Sequence, residues 1–343
     1  MERSEPSPRQ ATRRLRSRSK PALVVLMIGL AMAGHLLGQN PTAAVIINGL
    51  GGMPDYEENF VSWSDKLEAI FRERLPETVF RYDGRELRAV DILEGLTAIP
   101  GRIPEGGEVW IFLVGHGNYD GQQYKLHIRG PDLTGQDLAG FLATLGSRRV
   151  FVVAGSSASG ALLPVLAGEN RVIVTATRNE RERQPPLFLS FFLEAAGSPE
   201  ADTNKNGRVS LLEAFVYSQS KVAEWFSEKG RLQTEHPVLN DQGRFSLGAD
   251  ERGNDPPLPA PDLQTGSGLL AAAAYVAAPP EQAYRSLEAQ RLAQERATVE
   301  REIEDLKFRK AELPAEEYYK QLEQLLIKLA QLNSQIEQLE SGQ

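Results

Sequence analysis

Four runs of apolar, largely β-branched residues constrain this chain more than anything else in it. They are AAVIIN at Ala43–Asn48, VWIFLV at Val109–Val114, RVFVVA at Arg149–Ala154 and RVIVTAT at Arg171–Thr177, and the first three stop at Gly49, Gly115 and Gly155. A strand with one wet face alternates apolar and polar residues, whereas these runs are continuous, so both of their faces are covered. Between them, Trp63, Leu67, Ile70, Phe71 and Leu75 recur at helical spacing, as do Leu87, Val90, Leu93 and Leu96, and Leu138–Leu145 reads as a third helix. Thr78–Tyr82 reads as a further strand and Tyr124–Ile128 as a small hairpin arm. Strands alternating with helices predict an α/β three-layer sandwich around a mainly parallel sheet.

The 343 residues include 41% hydrophobic and 24% charged side chains, enough to build a real core. Cysteine is absent, which excludes disulfides, thiolate zinc sites, iron–sulfur clusters and any thiol nucleophile. The formal net charge is −8, and the first 39 residues, with seven Lys/Arg against two Asp/Glu, are the basic exception. A body this acidic does not seek nucleic acid. Arg13, Arg14, Arg16, Arg18 and Lys20 precede an apolar run from Ala22 to Leu37, and Ala31-Met32-Ala33 offers small residues at a cleavage spacing. Residues 1–39 therefore read as a secretory signal, with an uncleaved membrane anchor as the alternative, and the body is expected outside the cytoplasm. Contact with a membrane is expected only through an uncleaved N-terminal segment.

Residues 43–249 form the α/β body. Residues 250–282, rich in proline and alanine, read as a linker, and 283–340 change to Glu, Gln, Leu and Lys. There Tyr318, Leu322, Leu325, Leu329, Leu332, Ile336 and Leu339 keep a 4-3 spacing, while Leu292, Val299, Ile303, Leu306 and Leu313 form a second seam that breaks at Pro314. Two antiparallel helices in a coiled-coil hairpin follow from this, with self-association as one use of the seam.

In an open parallel sheet, ligands and reacting groups collect at the carboxyl ends of strands. Two such ends carry chemistry: Gly115-His116-Gly117-Asn118, and Gly155-Ser156-Ser157-Ala158-Ser159-Gly160. Glycines there free backbone N–H groups to face an oxyanion, and a histidine beside a hydroxyl supplies the parts of a base and nucleophile. The plainer reading is a glycine-rich strand exit with a hydrogen-bonded histidine. The apolar strand–Gly-His-Gly followed by apolar strand–Ser157-Ala158-Ser159-Gly160 resembles the caspase-fold peptidases, particularly the legumain-like cysteine peptidases, over roughly residues 43–240. By that resemblance the histidine follows the third strand and the nucleophile the fourth. His116 would be the catalytic histidine, Gly117 would supply an oxyanion-hole N–H, and Ser157 would stand where the family has cysteine. Serine does not ionise at neutral pH, and serine hydrolases usually hold their histidine with a buried carboxylate. No residue can be given that role from the sequence; Asp120 is merely near. His127 and Thr234-Glu235-His236-Pro237 are read as structural, the latter as a turn into the body's last strand.

Asp202-Thr203-Asn204-Lys205-Asn206-Gly207-Arg208-Val209-Ser210-Leu211-Leu212-Glu213 matches the EF-hand calcium loop at every specified position. Asp202, Asn204, Asn206, the Arg208 carbonyl, Ser210 and Glu213 are the expected ligands of a Ca2+ ion, with Gly207 at the sharp turn. Helices are predicted on either side, over Leu187–Ala196 and Leu211–Ser227. With two carboxylates and no second loop in the sequence to pair with it, the site should be weak, roughly 10⁻⁴–10⁻³ M.

Three functions remain open. The favoured one is an exported calcium-binding protein with a peptidase fold that lacks cysteine-peptidase activity and binds a peptide or protein partner. The second is a hydrolase using Ser157 and His116. The third is an envelope assembly protein acting through its helical hairpin.

Overall fold

A computed structural model describes residues 42–73, 75, 77–203, 207–248, 269–276, 286–308, 310 and 313–341. The expected signal or anchor, Asn204 and Asn206 of the calcium loop, and most of the expected linker lie outside these residues. Among the described residues, no helix is long and apolar enough to cross a membrane.

The elements run β1 (Thr42–Asn48), α1 (Pro54–Arg72), β2 (Val79–Asp83), α2 (Ala89–Leu96), β3 (Glu108–Gly115), β4 (Gly117–Tyr119), β5 (Tyr124–Leu126), β6 (Leu133–Thr134), α3 (Gly135–Thr144), β7 (Arg149–Ser156), α4 (Leu163–Leu166), β8 (Arg171–Thr175), α5 (Phe188–Ala195), α6 (Leu211–Glu228), β9 (Val238–Asp241), β10 (Phe245–Leu247), α7 (Leu269–Ala273), α8 (Leu287–Phe308) and α9 (Ala315–Ser341). The main sheet has the order β10-β9-β8-β7-β3-β1-β2, and β4, β5 and β6 form a second, three-stranded sheet. Strands β2, β1, β3, β7 and β8 are mutually parallel, while β9 runs antiparallel to β8 and β10 antiparallel to β9. The mainly parallel sheet inferred from the continuous runs is what the structure contains.

Strand alternation explains why those runs have no polar face. Ala44 and Ile46, Trp110, Phe112 and Val114, and Phe151 and Val153 enter one core with Phe60, Leu67 and Phe71 of α1 and the aromatic residues of α5 and α6. Ala43, Val45 and Ile47, Val109, Ile111 and Leu113 enter the opposite core with Ile92 and Leu96 of α2 and Leu138, Phe141 and Leu142 of α3. The sheet is the middle layer of three, and each side chain that it buries is worth roughly 1.5–3 kcal/mol.

Three expectations change. Val90 was assigned to the apolar face of its helix but is 57% exposed, because α2 starts only at Ala89 and packs through Ile92 and Leu96. The hairpin arm is a three-stranded sheet whose first strand begins at Gly117, directly after His116. Within the expected linker, Leu269–Ala273 is helical, and Leu270, Ala271, Ala274 and Val276 are buried in the core beneath α6. Alanine supplies helix propensity there, and Leu270 and Val276 supply the apolar contacts that proline-rich flanks lack. Further on, α8 and α9 pack on each other through Leu292, Ala293, Val299, Ile303, Leu332 and Ile336.

Candidate functional site

Strands β2 and β3 lie on opposite sides of β1, so the order reverses at β1, and the carboxyl ends of β1 and β3 form the switch point where such sheets bind ligands. His116 leaves β3 at this point. As the resemblance implied, it follows the third strand of the main sheet, and Ser157 follows the fourth, β7, which ends at Ser156. The strands are adjacent: Gly115 and Ser156 are opposite each other in the register.

The His116 ring is half-buried, with Tyr56 and Phe60 of α1 edge-on to it, each at 5.0 Å between centroids. Burial lowers its pKa below the ordinary histidine value; the Gly51 backbone works against that shift, and His127 adds to it. At neutral pH the ring is therefore neutral and able to accept a proton. Among the described residues, no carboxylate is hydrogen-bonded to it. Asp120 lies at the tip of the small sheet, where its carboxylate accepts the N–H groups of Gln122 and Gln123 and pairs with Lys125 at 2.7 Å. That engagement answers the question left by the sequence, since Asp120 orients a turn and not the histidine.

Gly117 must be glycine, because a Cβ there would come within 2.7 Å of the Ser157 carbonyl and of the Tyr124 ring. The His127 N–H donates to the His116 carbonyl at 3.0 Å, and Gly117 faces Leu126 in the next register position. Bonded and non-bonded pairs alternate in an antiparallel ladder, so the Gly117 N–H turns away from β5.

At the end of β7 the two serines differ. Ser156 is fully buried, with its hydroxyl 2.5 Å from the Tyr124 phenol, whose pKa is pushed up by burial. Ser157 is 2% exposed, and among the described residues its hydroxyl has no hydrogen-bond partner. Ala158 follows in the left-handed region, at φ 54°, and turns the chain sharply into the short helix Ser159–Leu162. Non-glycine residues in this region are uncommon and collect at functional turns. Gly160 lets the backbone of Arg178 and Asn179 pass, since a Cβ would come within 2.3 Å of it.

Those two residues open a loop, 178–187, that the sequence reading did not single out. Glu182 is its hub. The Glu182 carbonyl accepts the Ala158 N–H at 2.8 Å, and its carboxylate accepts the Arg178 and His236 N–H groups at 3.1 and 3.0 Å. The same carboxylate lies 2.6 Å from His236 Nδ1 and 3.0 Å from Arg178 Nε. Glu235 closes the loop's far end by accepting the Leu187 and Phe188 N–H groups at 2.8 and 2.7 Å, and burial raises its pKa to about 7. Arg178, Arg181, Glu182, Arg183, Gln184 and His236 line an open cleft of about 940 Å³, whose walls include neither Ser157 nor His116. Glu235-His236 lies in an extended stretch that enters β9, not in the turn into the last strand that was expected, since β10 follows β9, and its acceptor and partner come from a distant segment that spacing alone could not supply.

The calcium loop lies on the other side of the body. Gly207 adopts φ 80° and donates its N–H to Asp202 Oδ2 at 2.8 Å. Glu213 sits in the first turn of α6, where Ser210 caps the helix and donates its hydroxyl to Oε2 at 2.8 Å. Oε1 reaches across the loop to the Thr203 N–H and hydroxyl, at 3.1 and 3.0 Å. The Gly207 bend bonded back to Asp202, and the Glu213 carboxylate turned back to Thr203, are the turn and the closing residue that a calcium loop of this spacing would use. Asn204 and Asn206 lie outside the described residues. Among those described, no group of three or more His, Asp or Glu is gathered to hold a metal, so most oxygens would have to come from amides, a hydroxyl and a carbonyl.

The sequence matches no protein-family model and no curated protein. Among solved structures, the chain is similar to the initiator caspase Dronc of Drosophila, at 13% identity over 60% of this chain and 81% of that one, with a TM-score of 0.40. It is similar to caspase-1 of Spodoptera frugiperda at 15% identity over 60% and 88%, with a TM-score of 0.36. A secreted C11 cysteine protease from Bacteroides thetaiotaomicron, solved with an irreversible peptide inhibitor, gives 11% identity over 60% and 67%, with a TM-score of 0.37. Overlaps this loose carry no weight for chemistry, which rests on the residues themselves.

Proposed function

We propose that the chain is an exported calcium-binding protein with a caspase-like, peptidase-like fold that binds a peptide segment at the carboxyl edge of its sheet without thiol chemistry. The observation that carries this reading is a serine at the fourth strand's end, next to a strand whose histidine is held by aromatic rings and backbone and, among the described residues, by no carboxylate. A hydroxyl needs its proton removed during attack, and a base without an orienting carboxylate does this poorly. The cleft walled by the 178–184 loop and His236 gives a peptide room, and its arginines give it charge. Calcium binding at Asp202, Asn204, Asn206, Arg208, Ser210 and Glu213 belongs to the same reading, as does export through residues 1–39.

A serine hydrolase is the second reading, favoured by the neutral His116, the unpartnered Ser157 hydroxyl and the outward Gly117 N–H. Treating the purified chain with a fluorophosphonate in millimolar calcium separates the two. Intact mass should be unchanged under the first reading. A stoichiometric adduct on Ser157 that disappears in His116→Ala would make the protein a hydrolase.

A further inference from the structure

We infer that calcium occupancy of the 202–213 loop and docking of the 269–276 segment are energetically coupled. This rests on the calcium reading above and deepens it, because the sequence offers no second loop to brace the first. The structure supplies the brace from another place. Two hydrogen bonds join the second half of the loop to the segment after α7: the Leu211 N–H donates to the Ala274 carbonyl at 2.7 Å, and the Val276 N–H to the Val209 carbonyl at 3.0 Å. Ser210 and Tyr275 lie opposite each other between them as an antiparallel bridge. Val209, Leu211, Ala274 and Val276 are all buried in the same core.

Arg208 reinforces the junction on the other side. Its guanidinium lies over the Tyr275 ring, 5.0 Å from the centroid, and pairs with Glu300 of α8 at 3.3 Å. Only its backbone carbonyl is an expected calcium ligand, so its side chain can act on the arm without removing an oxygen from the ion. The four residues that the arm fixes, 208–211, include the seventh and ninth ligand positions. Holding their backbone in place removes part of the ordering that calcium would otherwise impose. The converse follows by reciprocity: calcium that fixes the same residues tightens the arm by the same factor.

The test uses the full chain and calcium alone as the probe. Calcium affinity is measured by titration calorimetry for the wild type, Asp202→Ala, Arg208→Gln and Tyr275→Leu, and amide exchange is followed at Leu211 and Val276 with and without millimolar calcium. Coupling predicts that Arg208→Gln or Tyr275→Leu, neither of which removes a ligand, weakens calcium binding about fivefold or more, and that calcium slows exchange at both amides by a similar factor. If the wild type binds calcium, Asp202→Ala abolishes binding, and the two arm variants bind with wild-type affinity while exchange is unchanged, the calcium reading stands and the coupling is wrong. If the folded wild type binds no calcium at all, both are wrong.

Discussion

Replacing Glu235 by Gln should make the protein more stable at pH 8 and leave it nearly unchanged at pH 5. Glu235 is 3% exposed and holds the backbone of Leu187 and Phe188 at the start of α5, with Glu182 adding repulsion. Burial raises its pKa from 4.5 to about 7, against the two N–H groups that it accepts. The folded state therefore binds the proton more tightly than the unfolded chain does. The resulting stability is complete below pH 4.5 and is lost as the pH rises through 7. At roughly 1.4 kcal/mol per unit, the loss across this window is about 3 kcal/mol. Glutamine has nearly the shape of the protonated acid and does not titrate, so it removes the loss and keeps one of the two acceptor contacts. Urea unfolding of both proteins at pH 5, 6, 7 and 8 measures the effect. Taking the difference between the proteins cancels the opposing contribution of His116, whose lowered pKa makes acid unfavourable. A difference that stays flat from pH 5 to pH 8 would refute the argument.

Gly160→Ala should lower stability by about 2–3 kcal/mol and loosen the 178–187 loop, because its methyl group meets backbone at 2.3 Å; thermal melting and exchange at the Ala158 amide would show it. Phe151→Ala should cost about 3–5 kcal/mol, since the ring is fully buried 4.7 Å from Trp110, and chemical denaturation reads this directly. Millimolar calcium should raise the melting temperature of the wild type but not of Asp202→Ala, which also loses the acceptor for the Gly207 N–H and should melt lower even without calcium.

The sheet was legible because burial on two faces leaves an unbroken signal, and Ala43–Asn48, Val109–Val114 and Arg149–Ala154 each became a strand of the central layer. The strand-end positions of His116 and Ser157 followed from the same runs. What surrounds these residues was not legible. Glu182 meets Ala158 and His236 only because β8 and β9 bring distant segments to one edge, and nothing local in NERERQ marks one glutamate as a hub. Residues 269–276 failed for the opposite reason. Alanines flanked by prolines have the composition of a linker, and their burial depends on a surface of α6 that composition does not reveal. The helical hairpin repeats at 3.5-residue spacing, which the sequence displays openly.

The position of that buried segment bears on how the molecule is assembled. The central strands β1, β3 and β7 all lie before residue 157, so the sheet's centre can pair before that segment is made. The segment at 269–276 is the last part of the body to be made, and until it arrives the faces of Val209, Leu211 and Leu212 have no cover from that side. A nascent chain should therefore pass through a form whose sheet is paired at its centre but whose flank is sticky, the kind of surface that holdases recognise. Amide exchange on a chain ended at residue 250 would reveal it as protection at Leu113 with little at Leu211, whose N–H loses the Ala274 carbonyl, and unfolding of the whole chain or full protection of both amides would rule it out.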